Sequence, residues 1–207
     1  TDRWIPAQEK GAILMPQNLS PDDWNTLMRI ASDAVFAAAH RRKPEAVQIA
    51  MLPEALRQEG AVFVTLTKSG QLRGCIGSLE AWQPLAEDVQ LRAYQAAVQD
   101  SRFPPLSPPE LPMIEIEISR LTQPEPLEYQ VPTDLPQLLR PGQDGVILSD
   151  GIRRATFLPQ VWEQLPQAEE FLSHLCAKMG ARANLWREKA LDVQIYHVEE
   201  FKTKPEW

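Results

Sequence analysis

The chain has 207 residues, 43% hydrophobic and 24% charged, with a formal net charge of −7 at pH 7. That length fits one domain, or one domain with a smaller lobe, and leaves room for a sizeable core. The acidic balance argues against a general nucleic-acid binder, which carries a basic stripe, and no apolar run approaches the roughly 18 residues of a membrane span.

Two cysteines without a small-domain spacing pattern point to a reducing compartment rather than a disulfide framework. The start, Thr1-Asp2-Arg3-Trp4-Ile5-Pro6, lacks the charged and apolar regions of a signal peptide, so a cytoplasmic protein is expected. Residues 1–19 read as a loosely held arm before a single domain at 20–207. Ser20-Pro21-Asp22-Asp23 is a helix start: a serine cap, a proline in the first turn, then acids at the positive end of the dipole. Trp24, Leu27, Met28, Ala31, Ala34, Val35 and Ala38 recur at helical spacing to about His40, so this helix covers a core. The run Ala61-Val62-Phe63-Val64-Thr65-Leu66-Thr67, the turn signal Lys68-Ser69-Gly70 and Leu72-Arg73-Gly74-Cys75-Ile76-Gly77 together read as a β-hairpin. Pro84 opens a second helix with Leu85, Val89, Ala93, Ala96 and Ala97 on one face, ending near Asp100. From Met113 to Ser119 the pattern alternates, so Ile114, Ile116 and Ile118 face a core while Glu115, Glu117 and Ser119 face away.

Prolines at 124, 126, 132, 136 and 141 break the next stretch, which is expected to contribute to a smaller lobe at about 124–165. A second hairpin runs from 145–148 to 153–158 through Ser149-Asp150-Gly151. Two helices are predicted at about 159–165 and 168–179, the second closed by Gly180. Val193, Ile195 and His197 alternate with Gln194 and Tyr196 in a last strand. Strands in hairpins and isolated runs, with no regular βαβ rhythm, predict an α+β fold: mainly antiparallel sheet flanked by helices.

Cys75 leads the candidates for chemistry. Alternation along its strand puts Arg73 and Cys75 on one side and Leu72 and Ile76 on the other. A guanidinium beside a thiol favours the thiolate, and Gly74 and Gly77 allow a backbone or ligand to come close. The alternative is a small buried cysteine. His40, His174 and His197 lie in no triad motif. Asp100 and Arg102 read either as a local ion pair or as a substrate-positioning arginine suited to a carboxylate or phosphate. Glu115 and Glu117 share a strand face, as cleft acids or as the solvated face of an edge strand. Gln160, at a helix start, offers an amide contact to a ligand, and Lys178 points to a cleft or to solvent. Cys176 falls on an apolar helix face and reads as core. Neither metal-site spacing, a phosphate-binding glycine loop nor a dinucleotide fingerprint occurs, so no metal site and no cofactor is expected.

Residues 60–68 with Leu72-Arg73-Gly74-Cys75-Ile76-Gly77-Ser78-Leu79-Glu80-Ala81 are similar to the signature of the AMMECR domain family. Further matches follow in order: Pro84-Leu85-Ala86-Glu87-Asp88-Val89, Asp100-Ser101-Arg102-Phe103-Pro104-Pro105-Leu106-Ser107, and Ile116-Glu117-Ile118-Ser119. Then come Asp144-Gly145-Val146-Ile147-Leu148, Thr156-Phe157-Leu158-Pro159-Gln160-Val161, and Phe171-Leu172 with Leu175-Cys176-Ala177-Lys178-Met179-Gly180. The resemblance spans about Asp22 to Phe201 and implies a larger lobe, a smaller lobe and a cleft between them. Bacterial and archaeal members are called AmmeMemoRadiSam system protein A, which implies a pathway shared with a Memo-like protein and a radical SAM protein. On that footing the expected enzyme acts on a peptide or small molecule. Cys75 would be nucleophile or proton donor and Arg73 its activator or an anion binder. Glu117 joins Arg102 in positioning substrate, and Asp100, Gln160 and Lys178 complete the binding groups. The alternative is a non-catalytic module that binds a ligand or peptide for those partners.

Overall fold

The computed structural model describes residues 19–207, so the expected arm lies, except for Leu19, outside the described residues. In chain order the elements are α1 (Pro21–Ala39), α2 (Glu54–Arg57), β1 (Ala61–Lys68), β2 (Gln71–Gly77), α3 (Leu85–Val98), β3 (Ile114–Leu121) and β4 (Glu125–Pro126). They continue with α4 (Leu135–Leu138), β5 (Gly145–Ser149), β6 (Arg154–Phe157), α5 (Ala168–Lys178), α6 (Leu185–Glu188), β7 (Asp192–Tyr196) and β8 (Val198–Thr203). The strands form two antiparallel sheets, ordered β2-β1-β3-β8 and β4-β7-β5-β6. The α+β architecture expected from the hairpins is the one found.

Local chemistry starts the first helix. Ser20 and Asp23 form a reciprocal capping box at the head of α1, with Pro21 at its first position. The apolar stripe of α1 (Leu27, Ala31, Ala34, Val35, Ala38) and that of α3 (Leu85, Val89, Ala93, Ala96) bury the inner face of the large sheet: Val62, Val64, Leu66, Ile114, Ile116 and Ile118. A second core holds Leu135, Leu148, Phe171, Leu172 and Trp186, with Trp162 stacked on Phe171 at 3.7 Å between centroids. A small cluster of Ala61, Leu121, Ile147 and Tyr196 joins the two sheets.

Three expectations need correction. The smaller lobe does not stop near residue 165, because its core draws on α5, α6 and β7 and runs on to Ile195. The expected last strand is β7, and a further, unforeseen strand, β8, follows it in the large sheet, the two parted at His197. His197 is pinned there to Thr122, where the chain left the large sheet: Thr122 N donates to His197 O (2.9 Å) and His197 N to Thr122 Oγ1 (2.8 Å). The helix expected at 159–165 is a short 3-10 segment, Pro159–Glu163.

The third correction lies in the first hairpin. The β1–β2 register slips between Leu66 and Thr67, so that Gly74 faces Leu66 and Leu72 faces Thr67. Arg73 is therefore the extra residue of a bulge, and strict alternation fails across it. Leu72 turns to the outer face and stays 43% exposed, whereas Ile76 packs against the core as expected. Gly74 is the point where α3 crosses β2: a Cβ there would lie 2.1 Å from Ala96 O. Among the described residues, no helix is long and apolar enough to cross a membrane.

Gly74→Ala should therefore push α3 off the sheet and cost about 3 kcal/mol, the upper range for an overpacked core. Leu72→Ala, on the exposed side of the bulge, should cost no more than about 0.5 kcal/mol. Urea midpoints of the two variants check this, and a Gly74→Ala midpoint equal to wild type would contradict the tight crossing.

Candidate functional site

The outer face of the large sheet is only partly covered. Pairing across the strands sets Cys75, Thr65, Glu117 and Lys202 in one row on that face, on β2, β1, β3 and β8 in turn. Strands lie about 4.8 Å apart, so Cys75 and Glu117 stand roughly 10 Å apart at the backbone with Thr65 between them. Thr65 Oγ1 donates to Cys75 Sγ at 3.3 Å. Beside this row is a cavity of about 40 Å³, lined by Phe63, Thr65, Cys75, Ser119, Leu121, Leu158, Gln160 and Val198. Leu158 and Gln160 come from the smaller lobe, so the cavity lies between the lobes. Phe63 reaches it by lying against Gly77, where a Cβ would come within 2.3 Å of the ring.

Cys75 is half-buried, and its peptide group is clamped from the far side of β2. Cys75 N donates to Asp100 Oδ2 at 2.8 Å, and Arg102 Nη2 donates to Cys75 O at 3.3 Å. Asp100 also accepts from Arg102 N (3.1 Å), Nε (2.9 Å) and Nη2 (2.6 Å). The Arg102 hydrogen bonds, then those from the Cys75 and Arg102 amides, hold the Asp100 carboxyl well below the usual carboxylate range against the opposing effect of burial. Arg102 is raised in turn, first by Asp100 and further by the nearby Cys75 thiol. Its side chain is 54% exposed, so it stays open to solvent at the rim of the site.

Arg73 does not stand beside the thiol as its place in the sequence suggests. The bulge turns it away, and its Nε and Nη2 donate to Glu110 at 3.0 and 3.2 Å. Glu110 also takes Lys68 Nζ at 3.0 Å, and it is held well below its ordinary value, chiefly by Arg73. The guanidinium at Cys75 is Arg102. Phe103 lies between the two arginines, its ring centre 5.9 Å from Arg73 Cζ and 5.6 Å from Arg102 Cζ.

Of the other candidates, Gln160 lines the cavity and Glu117 lies on the same open face. Lys178 is spent elsewhere: it donates to Thr156 O at 2.8 Å and sits 5.0 Å from the Phe157 ring centre, bracing β6. Cys176 is fully buried in the second core, and burial pushes its thiol up. No histidine lines the cavity. Among the described residues no group of His, Cys, Asp and Glu is placed to hold a metal ion. Thr65 and Ser119 were missed as site residues. The hairpin register would have found Thr65, opposite Cys75, but Ser119 becomes a lining residue only because the second lobe covers it.

The AMMECR1 family model matches residues 28–201. A protein of Methanothermobacter thermautotrophicus is 42% identical over 190 residues, covering 86% of this chain and 96% of that protein. One from Thermofilum pendens is 40% identical over 164 residues, 72% of this chain and 75% of its own. The crystal structure of an uncharacterized protein from Pyrococcus horikoshii superposes with a TM-score of 0.68 at 33% identity, over 86% of this chain and 91% of that one.

Asp100→Ala should cost about 1–3 kcal/mol at pH 7, because it leaves the Cys75 N–H without its acceptor. The folded-state pKa of Asp100 is depressed, so its contribution is complete above the unfolded carboxylate pKa of about 4 and is lost as pH falls below it. The gap between wild type and Asp100→Ala should therefore narrow from pH 7 to pH 2.5 in urea titrations; a constant gap would contradict the clamp.

Proposed function

The chain belongs to the AMMECR1 family, and from that premise we propose that its cleft is a reactive-thiol site acting on a peptide or small molecule. Cys75 is the nucleophile or proton donor. Arg102, rather than Arg73, is the guanidinium beside it, donating to its carbonyl. Asp100 is a positioning residue that fixes both, and Thr65 steadies the sulfur by donating to it. Glu117, from the open face of the sheet, and Gln160, from the cavity wall, position substrate. The observation that carries the reading is the clamp itself: one buried carboxylate binds the Cys75 amide and the Arg102 guanidinium together. Family association adds a pathway shared with a Memo-like protein and a radical SAM protein, whose steps would precede or follow this one.

A second reading, a binding module without catalysis, has an observation of its own. Among the described residues the hydrogen bond to Cys75 Sγ comes from Thr65, a poor general base, and no histidine lines the cavity. A nucleophilic thiol commonly has an adjacent base. Both readings use the same cleft, and only the first needs the thiol.

At pH 7.5, iodoacetamide should label Cys75 at least tenfold faster than the buried Cys176, and Arg102→Ala should slow Cys75 several-fold. Site-resolved mass spectrometry reads both rates. Cys75→Ala should cost about 1 kcal/mol or less while abolishing turnover of candidate peptides assayed with the partner proteins. A stable Cys75→Ala variant with full activity would move the assignment to the binding module.

A further inference from the structure

Ser119 is 5% exposed and lines the cavity beside Cys75, yet among the described residues its hydroxyl has no hydrogen-bond partner. The hydroxyl is not among the buried unpaired atoms, so it opens onto the cavity, free to bond water or a molecule that enters. The Gln160 amide lines the same space and likewise makes no side-chain hydrogen bond among the described residues. Among the described residues no charged side chain lines the cavity. It therefore suits an uncharged polar group, because a bare charge there would lose its hydration without a counter-ion.

The charge lies just outside. Glu117 stands opposite Lys202 and Ser119 opposite Glu200, which makes Glu117 and Glu200 diagonal neighbours on the open face. Such neighbours are roughly 7–8 Å apart, within reach of one bridging cation. Lys202, opposite Glu117, rests its Nζ on Glu115 at 3.0 Å and also feels the Glu117 charge, so it is shared between the two acids. Burial, and then the charge of Glu117, push the Glu200 carboxyl up.

We infer that the cleft recognises an α-amino amide: its ammonium between Glu117 and Glu200, and its amide in the cavity against Ser119 and Gln160, next to Cys75. That chemistry is presented by a peptide N-terminus and by a free amino-acid amide. The inference rests on the reading of the Cys75 cleft as a ligand site and narrows the peptide or small molecule to an amine-bearing one. It does not depend on the thiol being catalytic.

Amide-resolved NMR titration of the isotope-labelled chain tests it with three probes. Glycinamide carries the ammonium, malonamate is a similar-sized molecule with a carboxylate in its place, and triglycinamide presents a peptide N-terminus. Glycinamide should give saturable shifts centred on Thr65, Ser119 and Gln160, with malonamate at least tenfold weaker. Glu117→Gln and Glu200→Gln should each weaken glycinamide several-fold. Ser119→Ala should weaken both small probes while keeping the preference for the ammonium. Tighter binding of triglycinamide than of glycinamide assigns the peptide source; equal or weaker binding assigns the free amide. Malonamate binding as tightly as glycinamide, shifts centred elsewhere, no saturable shift, or indifference to both glutamine variants would overturn the inference. Iodoacetamide labelling of Cys75 is read on the same wild-type protein. Amine binding in a chain with an inert thiol therefore defeats only the catalytic reading, and a reactive thiol without amine preference defeats only this one.

Discussion

The Asp100 carboxylate is the constraint from which the site is built. β2 is an edge strand, and an edge presents unpaired N–H and C=O groups that invite another chain. At Cys75 those groups are met by side chains: Asp100 accepts the N–H and Arg102 donates to the C=O. The pair does at one residue what a neighbouring strand would do along several. Because Asp100 follows the end of α3, which crosses β2 at Gly74, the clamp closes a loop of packing between helix and strand. The thiol is thereby fixed on a rigid strand and kept half-open, with a guanidinium at its edge.

A second, partly buried acid serves the same strand differently. Glu110 takes up Arg73, the residue extruded by the bulge, together with Lys68 from the facing strand. Each arginine near Cys75 therefore has its own carboxylate, and their exposure separates their roles. Arg73 is 8% exposed and locked in place, whereas the Arg102 side chain is 54% exposed and able to meet a ligand. Phe103 offers its ring to both guanidinium groups, at 5.9 Å from Arg73 Cζ and 5.6 Å from Arg102 Cζ.

What was legible in the sequence was local. The capping box of Ser20 and Asp23, the alternation through Ile114, Ile116 and Ile118, and both hairpins are set by residues a few positions apart, and the structure has them where expected. What was not legible depends on distant pairing. One inserted residue at the bulge inverts the side-chain pattern before it, which exchanged the roles of Arg73 and Arg102 and exposed Leu72. Ser119 carried the signature of a solvated strand face and is instead buried, because Leu121 and Val198 beside it meet Leu158 from another lobe. The extent of that lobe was hidden for a related reason: β7 belongs to it and β8, one residue later, does not.

That switch gives the cleft its character. The chain leaves the large sheet at Leu121 and returns at Val198, and the two passages are bonded through Thr122 and His197. His197 Nε2 also lies 3.0 Å from the fully buried Asp144, which in turn holds Arg140 of the smaller lobe. The lobes are thus tied firmly at the crossing. On the Cys75 side the lobes also share an exposed, and therefore weak, ion pair of Glu80 and Arg154 at 3.4 Å. The cavity lies between these ends, with apolar walls from both lobes and a polar floor from the large sheet. A molecule that pairs with Ser119 and Gln160 would touch both lobes at once, against the apolar cluster of Leu121, Leu158 and Val198 that already joins the two sheets.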